Sequence, residues 1–435
     1  MRKLELIKKS DKMMAETLSS SRIKKKVRKM NKPKSVYYKQ KEDTREYNLD
    51  LLRIVSMFLI VLQHALYFGG MYDIGYSMGG VNILSVCFTF FQSICVISTN
   101  TYVLISGYFL INERFRLSKL FKIVCEVLFY SWVILILFIY KNGLVGMDIK
   151  TLLPSVLPIT YIGYWFVSAY IIMYCLMPVL NLLINRINRK QHFGIICILV
   201  CVFSVLTTLL PFSQIMGVGR WGQSVVWFVV LYIIGAFLKK YVNKYKYRKL
   251  SWKVLCSSIL FMNFWWIITT GLADKMGFDI LNNLRLQFLL KWYFSYDTIP
   301  VLFASISLFQ LYRGFSISNV CVVRIVRNTT PLVFAVYLIH NNSILKDFVW
   351  QSLRNSDIQY TLLPLVVIGY SIAVFFICIA IDYVRYHMFA IVNKREWYRK
   401  MLKAWDANVY VCFDKLYELT FKEKMSINNL SGSIR

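Results

Sequence analysis

His64 is the residue in this sequence whose placement most constrains the chemistry. It sits in the run from Tyr47 to Gly69, which from Leu49 onward is almost continuously apolar and about 21 residues long, enough to cross a bilayer core of roughly 30 Å. The same run carries Asp50 and Arg53. Arg53 and His64 are eleven residues apart; at about 100° per residue that returns them to nearly one helix face, roughly 16 Å apart along the axis. Asp50 lies on the same stripe one turn before Arg53, where the two can pair. Asp50 and Arg53 equally suit charges that snorkel from a helix end. His64 is too deep for that, and titratable groups at such depth normally face a protein interior or a water-filled cavity. An imidazole is suited to general-base work near neutral pH.

The elements that must hold these groups are membrane spans. The chain has 435 residues, 57% of them hydrophobic and 16% aromatic, with a mean hydropathy of +0.51. Such a composition excludes an ordinary soluble domain and predicts an all-α polytopic membrane protein. Ten apolar segments fall near 49–69, 83–106, 117–140, 161–184, 193–212, 221–239, 251–271, 292–312, 329–349 and 361–383. The formal charge of +30 does not indicate nucleic acid, because the basic residues concentrate in the tails and in alternate loops. One set of loops holds Arg114, Arg116, Lys119 and Lys122, then Arg186, Arg189 and Lys190, then Lys239 to Lys253, then Arg313, Arg324 and Arg327. That asymmetry predicts ten transmembrane helices with both termini cytoplasmic. Residues 1–46 form a basic cytoplasmic arm that attracts anionic lipids, 47–385 the ten-span domain, and 386–435 an amphipathic tail lying at the inner interface. No cleavable signal peptide is visible, so the first span serves as the insertion signal. The ten cysteines show no paired spacing; they suggest small buried hydrophobes, and no metal site is expected.

Further residues could join His64. The third segment opens with Glu113-Arg-Phe-Arg-Leu-Ser-Lys-Leu-Phe-Lys122, where Arg114, Arg116, Lys119 and Lys122 could hold phosphates or act only as a topological stop. The fourth carries Tyr164-Trp-Phe-Val-Ser-Ala-Tyr-Ile-Ile-Met-Tyr-Cys-Leu-Met-Pro-Val-Leu-Asn181, with Tyr164 and Trp165 placed for an outer aromatic belt and Pro178 able to free a carbonyl. The ninth contains Pro331-Leu-Val-Phe-Ala-Val-Tyr-Leu-Ile-His340, so Tyr337 and His340 sit at a depth comparable to His64. Glu126 and Asp297 are deep enough to orient a histidine or pair with Arg53, while Asp382 suits snorkelling. His192 and His387 suit the interface.

These runs together resemble the acyltransferase-3 family of integral membrane O-acyltransferases. The resemblance covers roughly residues 47–385 and rests on the Asn-x-Asp-x-x-Arg start, the Arg-to-His spacing, the basic cluster and the fourth-span run. Ala335 stands where that family usually has Gly, and Val124-Cys-Glu126 where a Pro is expected. The resemblance implies transfer of an acyl group, most often acetyl, from cytoplasmic acyl-CoA to a hydroxyl of a cell-surface polysaccharide or lipid-linked sugar at a bacterial plasma membrane. Succinyl-CoA is an alternative donor. It implies His64 as general base, Arg53 binding a CoA phosphate or fixing the inner end of the cavity with Asp50 orienting it, and the basic cluster from Arg114 to Lys122 on the CoA. A stand-alone protein without a fused extracytoplasmic domain would act alone or pass the acyl group to a separate partner. From a different class, a transporter or flippase for a polysaccharide intermediate would also place polar groups at midplane, although no inverted repeat is visible.

Overall fold

The computed structural model describes residues 45–77, 80–143, 148–161, 163–210, 220–278, 292–354 and 359–410. The chain divides at Tyr47 and Asn48 into two units, and everything below concerns the second. The basic arm up to residue 44 and the tail beyond 410 lie outside the described residues. Among the described residues there is no β-strand, as expected where main-chain groups must be satisfied within each segment.

The helices are α1 (Tyr47–Phe68), α2 (Met71–Ser77), α3 (Ile83–Leu110, interrupted at Val96), α4 (Leu117–Asn142), α5 (Ile149–Val156), α6 (Trp165–Arg186), α7 (Arg189–Leu209), α8 (Val225–Tyr241), α9 (Arg248–Lys275), α10 (Ile299–Arg313), α11 (Val320–Thr329), α12 (Val333–His340), α13 (Leu345–Arg354), α14 (Leu363–Lys394) and α15 (396–410). Eight segments, α1, α3, α4, α6, α7, α9, α14 and the one ending in α10, are long and apolar enough to cross a membrane. The ten expected spans therefore resolve less evenly than the hydropathy suggested. The sixth is α8, only 17 residues, about 26 Å at the usual rise. The ninth is not one rod: α11 and α12 meet at 46°, and α12 ends at His340 before α13 begins. Pro331 stands at the first break, where it offers no N–H to continue the helical ladder. At the second, the Asn342 side chain accepts from the Ile344 N–H at 2.9 Å and donates to the Tyr164 hydroxyl at 2.8 Å, making a turn instead of a further helical bond.

α1 is shared by two cores. Leu49 and Leu52 pack with Met173, Trp227 and Phe309, while Val61, Ala65 and Leu66 pack with Val127, Tyr164, Leu338 and Trp350. Between Val226, exposed near its start, and Lys239 and Lys240 at its end, α8 is apolar all round and largely buried, as such a helix must be. It lies against α3 so closely that a Cβ on Gly107 would collide with the Tyr232 main chain and one on Gly235 with the Leu104 carbonyl. Small residues permit this approach, and close packing replaces the hydrophobic drive that lipid does not supply. Buried polar ties add register: Trp227 donates to Asn100 at 3.0 Å, and Tyr232 to Asn181 at 2.6 Å, each worth on the order of 0.6 kcal/mol in membrane proteins.

Several single-residue expectations change. Asp382 does not snorkel; it is fully buried, accepting from Tyr130 at 2.6 Å and from Arg385 at 2.5 Å. Tyr164 is buried rather than in an outer belt, donating to the Leu338 carbonyl at 2.8 Å. His192 is a core histidine 3.1 Å from the Ile233 carbonyl and packed edge-on to Phe237, not an interfacial one. His387 is exposed. The nine described cysteines are all free; Cys95 and Cys378 are buried, whereas Cys175, Cys197, Cys201, Cys256 and Cys321 are exposed on helix surfaces.

Candidate active site

The Arg53 guanidinium donates to the Asp50 carboxylate at 2.6 Å, i to i+3 along the first turns of α1. Asp50 is nearly inaccessible and Arg53 about a quarter exposed. Arg53 also lies 5.1 Å over the Phe109 ring, a further stabilisation for a desolvated cation. Eleven residues on, His64 Nδ1 stands 2.8 Å from His340 Nε2. His340 is fully buried, and its Nδ1 lies 2.5 Å from the Val336 carbonyl.

These two contacts fix the tautomers. A carbonyl only accepts, so His340 Nδ1 donates to Val336, and the neutral ring keeps its lone pair on Nε2. His64 must then donate from Nδ1, which leaves its Nε2 unprotonated. Among the described residues His64 Nε2 has no hydrogen-bond partner.

His64 also borders a narrow cavity, partly open to the outside, together with Met57, Ile60 and Gln63 of α1. Thr99 and Tyr102 of α3, Trp165 and Phe166 of α6, Tyr296, Phe334 and Tyr337 complete the wall. Trp165 stacks on Tyr296 with centroids 5.8 Å apart and planes within 26°; it is a cavity wall rather than a belt residue. Tyr337 lies 6.5 Å from the His64 ring and 6.2 Å from His340. Among the described residues its buried hydroxyl has no hydrogen-bond partner, with Asn341 and the Phe166 main chain beside it. The cavity wall brings a lone-pair nitrogen, amide and hydroxyl groups and flat aromatic faces into one space, the combination that binds a polar ring and moves a proton.

The basic cluster sits at the same end of the bundle as Arg53. Lys119 is within electrostatic reach of both Arg116 and Arg53, and its Nζ lies 5.6 Å over the Tyr174 ring. Tyr174 grips the Arg116 main chain, accepting from its N–H and donating to its carbonyl, both at 3.2 Å. Arg116 is 3.5 Å from Glu113, Arg114 lies 5.7 Å over Tyr410, and Lys122 is exposed. Beyond these, Lys239 and Arg313 share the Tyr108 ring at 4.2 and 4.9 Å.

Glu126 and Asp297 are not brought to a histidine. Glu126 accepts from Arg385 at 2.9 Å, in the same buried group as Asp382 and Tyr130. Asp297 accepts from Ser295 at 2.5 Å in the turn before α10. The group that meets His64 is His340 instead. Gln63, Thr99, Tyr102 and Tyr296 of the cavity went unremarked in the sequence, although Gln63 adjoins His64 and Ser98 to Thr101 form a polar run inside an apolar segment. Among the described residues no group of three His, Cys, Asp or Glu side chains could hold a metal ion.

A family model described as an acyltransferase domain matches residues 46–383. No curated protein and no solved structure matches the chain.

Proposed function

The chain belongs to this acyltransferase family, and from that premise we propose that it moves an acetyl group from acetyl-CoA, taken from the cytoplasm, to a hydroxyl of a surface polysaccharide or a lipid-linked sugar. The observation that carries the reading is the His64–His340 pair, which leaves a basic nitrogen on the wall of an aromatic-lined cavity. In this reading the acceptor hydroxyl lies against His64 Nε2, which takes its proton as the oxygen attacks the thioester carbonyl. The tetrahedral adduct then collapses, the C–S bond breaks, and the CoA sulfur receives the proton from the imidazolium. His340 supports the step by accepting from His64 Nδ1–H throughout, which stabilises the transient positive charge as an orienting partner does in other histidine-based sites. Stacked Trp165 and Tyr296 suit a sugar ring or the slender pantetheine arm.

The polyanionic donor cannot cross a bilayer, and the positions of Arg114, Arg116, Lys119 and Lys122 suit a rim for its phosphates. Arg53, held by Asp50 and within reach of Lys119, marks the way from that rim towards His64. The test is transfer by purified protein in lipid nanodiscs supplied with acetyl-CoA labelled in the acetyl group and a polysaccharide acceptor. Label in ester linkage to the glycan is expected, together with loss of O-acetylation from the surface of cells lacking the protein. Glycan movement across the membrane with no consumption of acetyl-CoA would instead identify a flippase.

A further inference from the structure

Outside the family-matched residues, helix α15 lies along the start of α4. Its covered stripe, with Leu402 buried and Tyr398, Trp405, Asp406, Val409 and Tyr410 half-buried, recurs at helical spacing, while Arg399, Lys400, Lys403 and Asn408 on the opposite face are exposed. Tyr398 is near Cys125, Trp405 meets Phe121 edge-on at 5.1 Å, and Arg114 lies over Tyr410. The order is reversed between the two helices, so they run antiparallel. At the centre of the contact, the Asp406 carboxylate accepts from the Ser118 N–H at 2.9 Å and from the Ser118 hydroxyl at 2.7 Å. Tyr174 holds the Arg116 main chain from the α6 side. The stretch from Arg116 to Ser118 is thus gripped from both sides; it contains Arg116 and is flanked by Arg114 and Lys119.

We infer that Asp406 is a positioning residue for the donor, and that α15 is a working part of the rim that binds it. This rests on the reading of Arg114, Arg116 and Lys119 as that rim. The carboxylate fixes the first turn of α4 and so fixes where the flanking cations stand, which matters because ordering them in the free protein lowers the entropic cost of binding. Two physical roles for Asp406 give opposite signs. A negative charge beside a phosphate site weakens donor binding through space, so removing it would tighten binding. A clamp that orders the site strengthens binding, so removing it would weaken binding.

The experiment compares Asp406→Ala with Asp406→Asn, with acetyl-CoA as the variable substrate of the full-length protein in nanodiscs. Asn discards the charge but keeps an acceptor for the Ser118 N–H; Ala discards both. For a positioning role, Asp406→Ala raises the KM for acetyl-CoA by about three- to tenfold, as expected for loss of one or two hydrogen bonds, with kcat unchanged. Asp406→Asn stays within about twofold of wild type. Ser118→Ala, which removes only the hydroxyl bond, gives a smaller rise and adds little when combined with Asp406→Ala. An unchanged or lowered KM in Asp406→Ala overturns the inference, as does a fall in kcat alone. If Asp406→Ala fails to insert, Ser118→Ala decides on the same criterion. A wild-type protein that neither binds nor consumes acetyl-CoA takes down the functional reading as well; normal wild-type kinetics with an indifferent Asp406→Ala removes only this inference.

Discussion

An imidazole acts as a base only while one nitrogen keeps its lone pair, and the 2.8 Å contact with His340 decides which nitrogen of His64 does so. His64→Gln should lower acyl transfer by about 10²–10⁴-fold, the usual contribution of a positioned base, at matched protein level and with normal insertion. Near-normal surface acylation by that variant would remove His64 from the chemistry. His340 separates two further possibilities. If it serves only as acceptor for His64 Nδ1–H, His340→Gln, whose amide oxygen can accept in its place, should keep part of the activity. His340→Ala should fall much further, towards the roughly 10⁴-fold seen when an orienting partner is lost and the wrong tautomer results. Equal loss in both would mean that the His340 ring itself carries a proton. The spacing of Arg53 and His64 was legible in the sequence because helical periodicity is local. Their distant partner was not: His64 and His340 are 276 residues apart, and no periodicity links positions on different helices.

Between elements, the buried tie of Glu126, Asp382, Tyr130 and Arg385 joins α4 to α14. The acids were visible as charges in apolar runs, but Arg385 lies just past the last apolar segment, where nothing local shows that it turns back into the bundle. A buried ion pair is costly to form and costlier to break from one side. Arg385→Ala should therefore destabilise the protein by about 3–5 kcal/mol, read as a lowered thermal midpoint in detergent, whereas Arg385→Ala combined with Glu126→Gln should recover part of that loss. Identical midpoints for wild type and Arg385→Ala would show the group to be solvated. The rim makes a separate prediction: Arg114→Ala with Arg116→Ala should raise the donor KM more than it changes kcat, with a smaller difference from wild type at high salt. Unchanged donor affinity in a folded, inserted variant would leave these arginines as topological signals. Hydropathy found the apolar segments but not the break after α12, because Asn342 acts through side-chain hydrogen bonds that an average over residues does not register.

Across the whole bundle, the contacts bear on how often the chain crosses the membrane. The doubtful segment is α8, about 26 Å long against a hydrocarbon core of roughly 30 Å. Being enclosed by protein, it need not match lipid thickness by itself. Its neighbours give its direction. Trp227 near its start meets Asn100 in the middle of α3, and Lys239 near its end meets Tyr108 near the end of α3, so the two helices run parallel. At the far end Lys240 donates to the Ile184 carbonyl near the end of α6 at 3.0 Å. Asn48, opening α1, donates to the Tyr312 carbonyl near the end of α10 at 2.7 Å. Each of these ends belongs to a loop that the charge asymmetry assigns to the cytoplasm, and the contacts collect them at one end of the bundle. A full crossing by α8 is the only way for this parity to hold through α9 and α10. A reporter inserted at Lys246 and one fused after Arg435 should therefore both read cytoplasmic, and one at Gly277 external. If α8 instead turned back within the membrane, Lys246 would read external and Gly277 cytoplasmic, and the loops assigned by charge would sit on the wrong side from there onward.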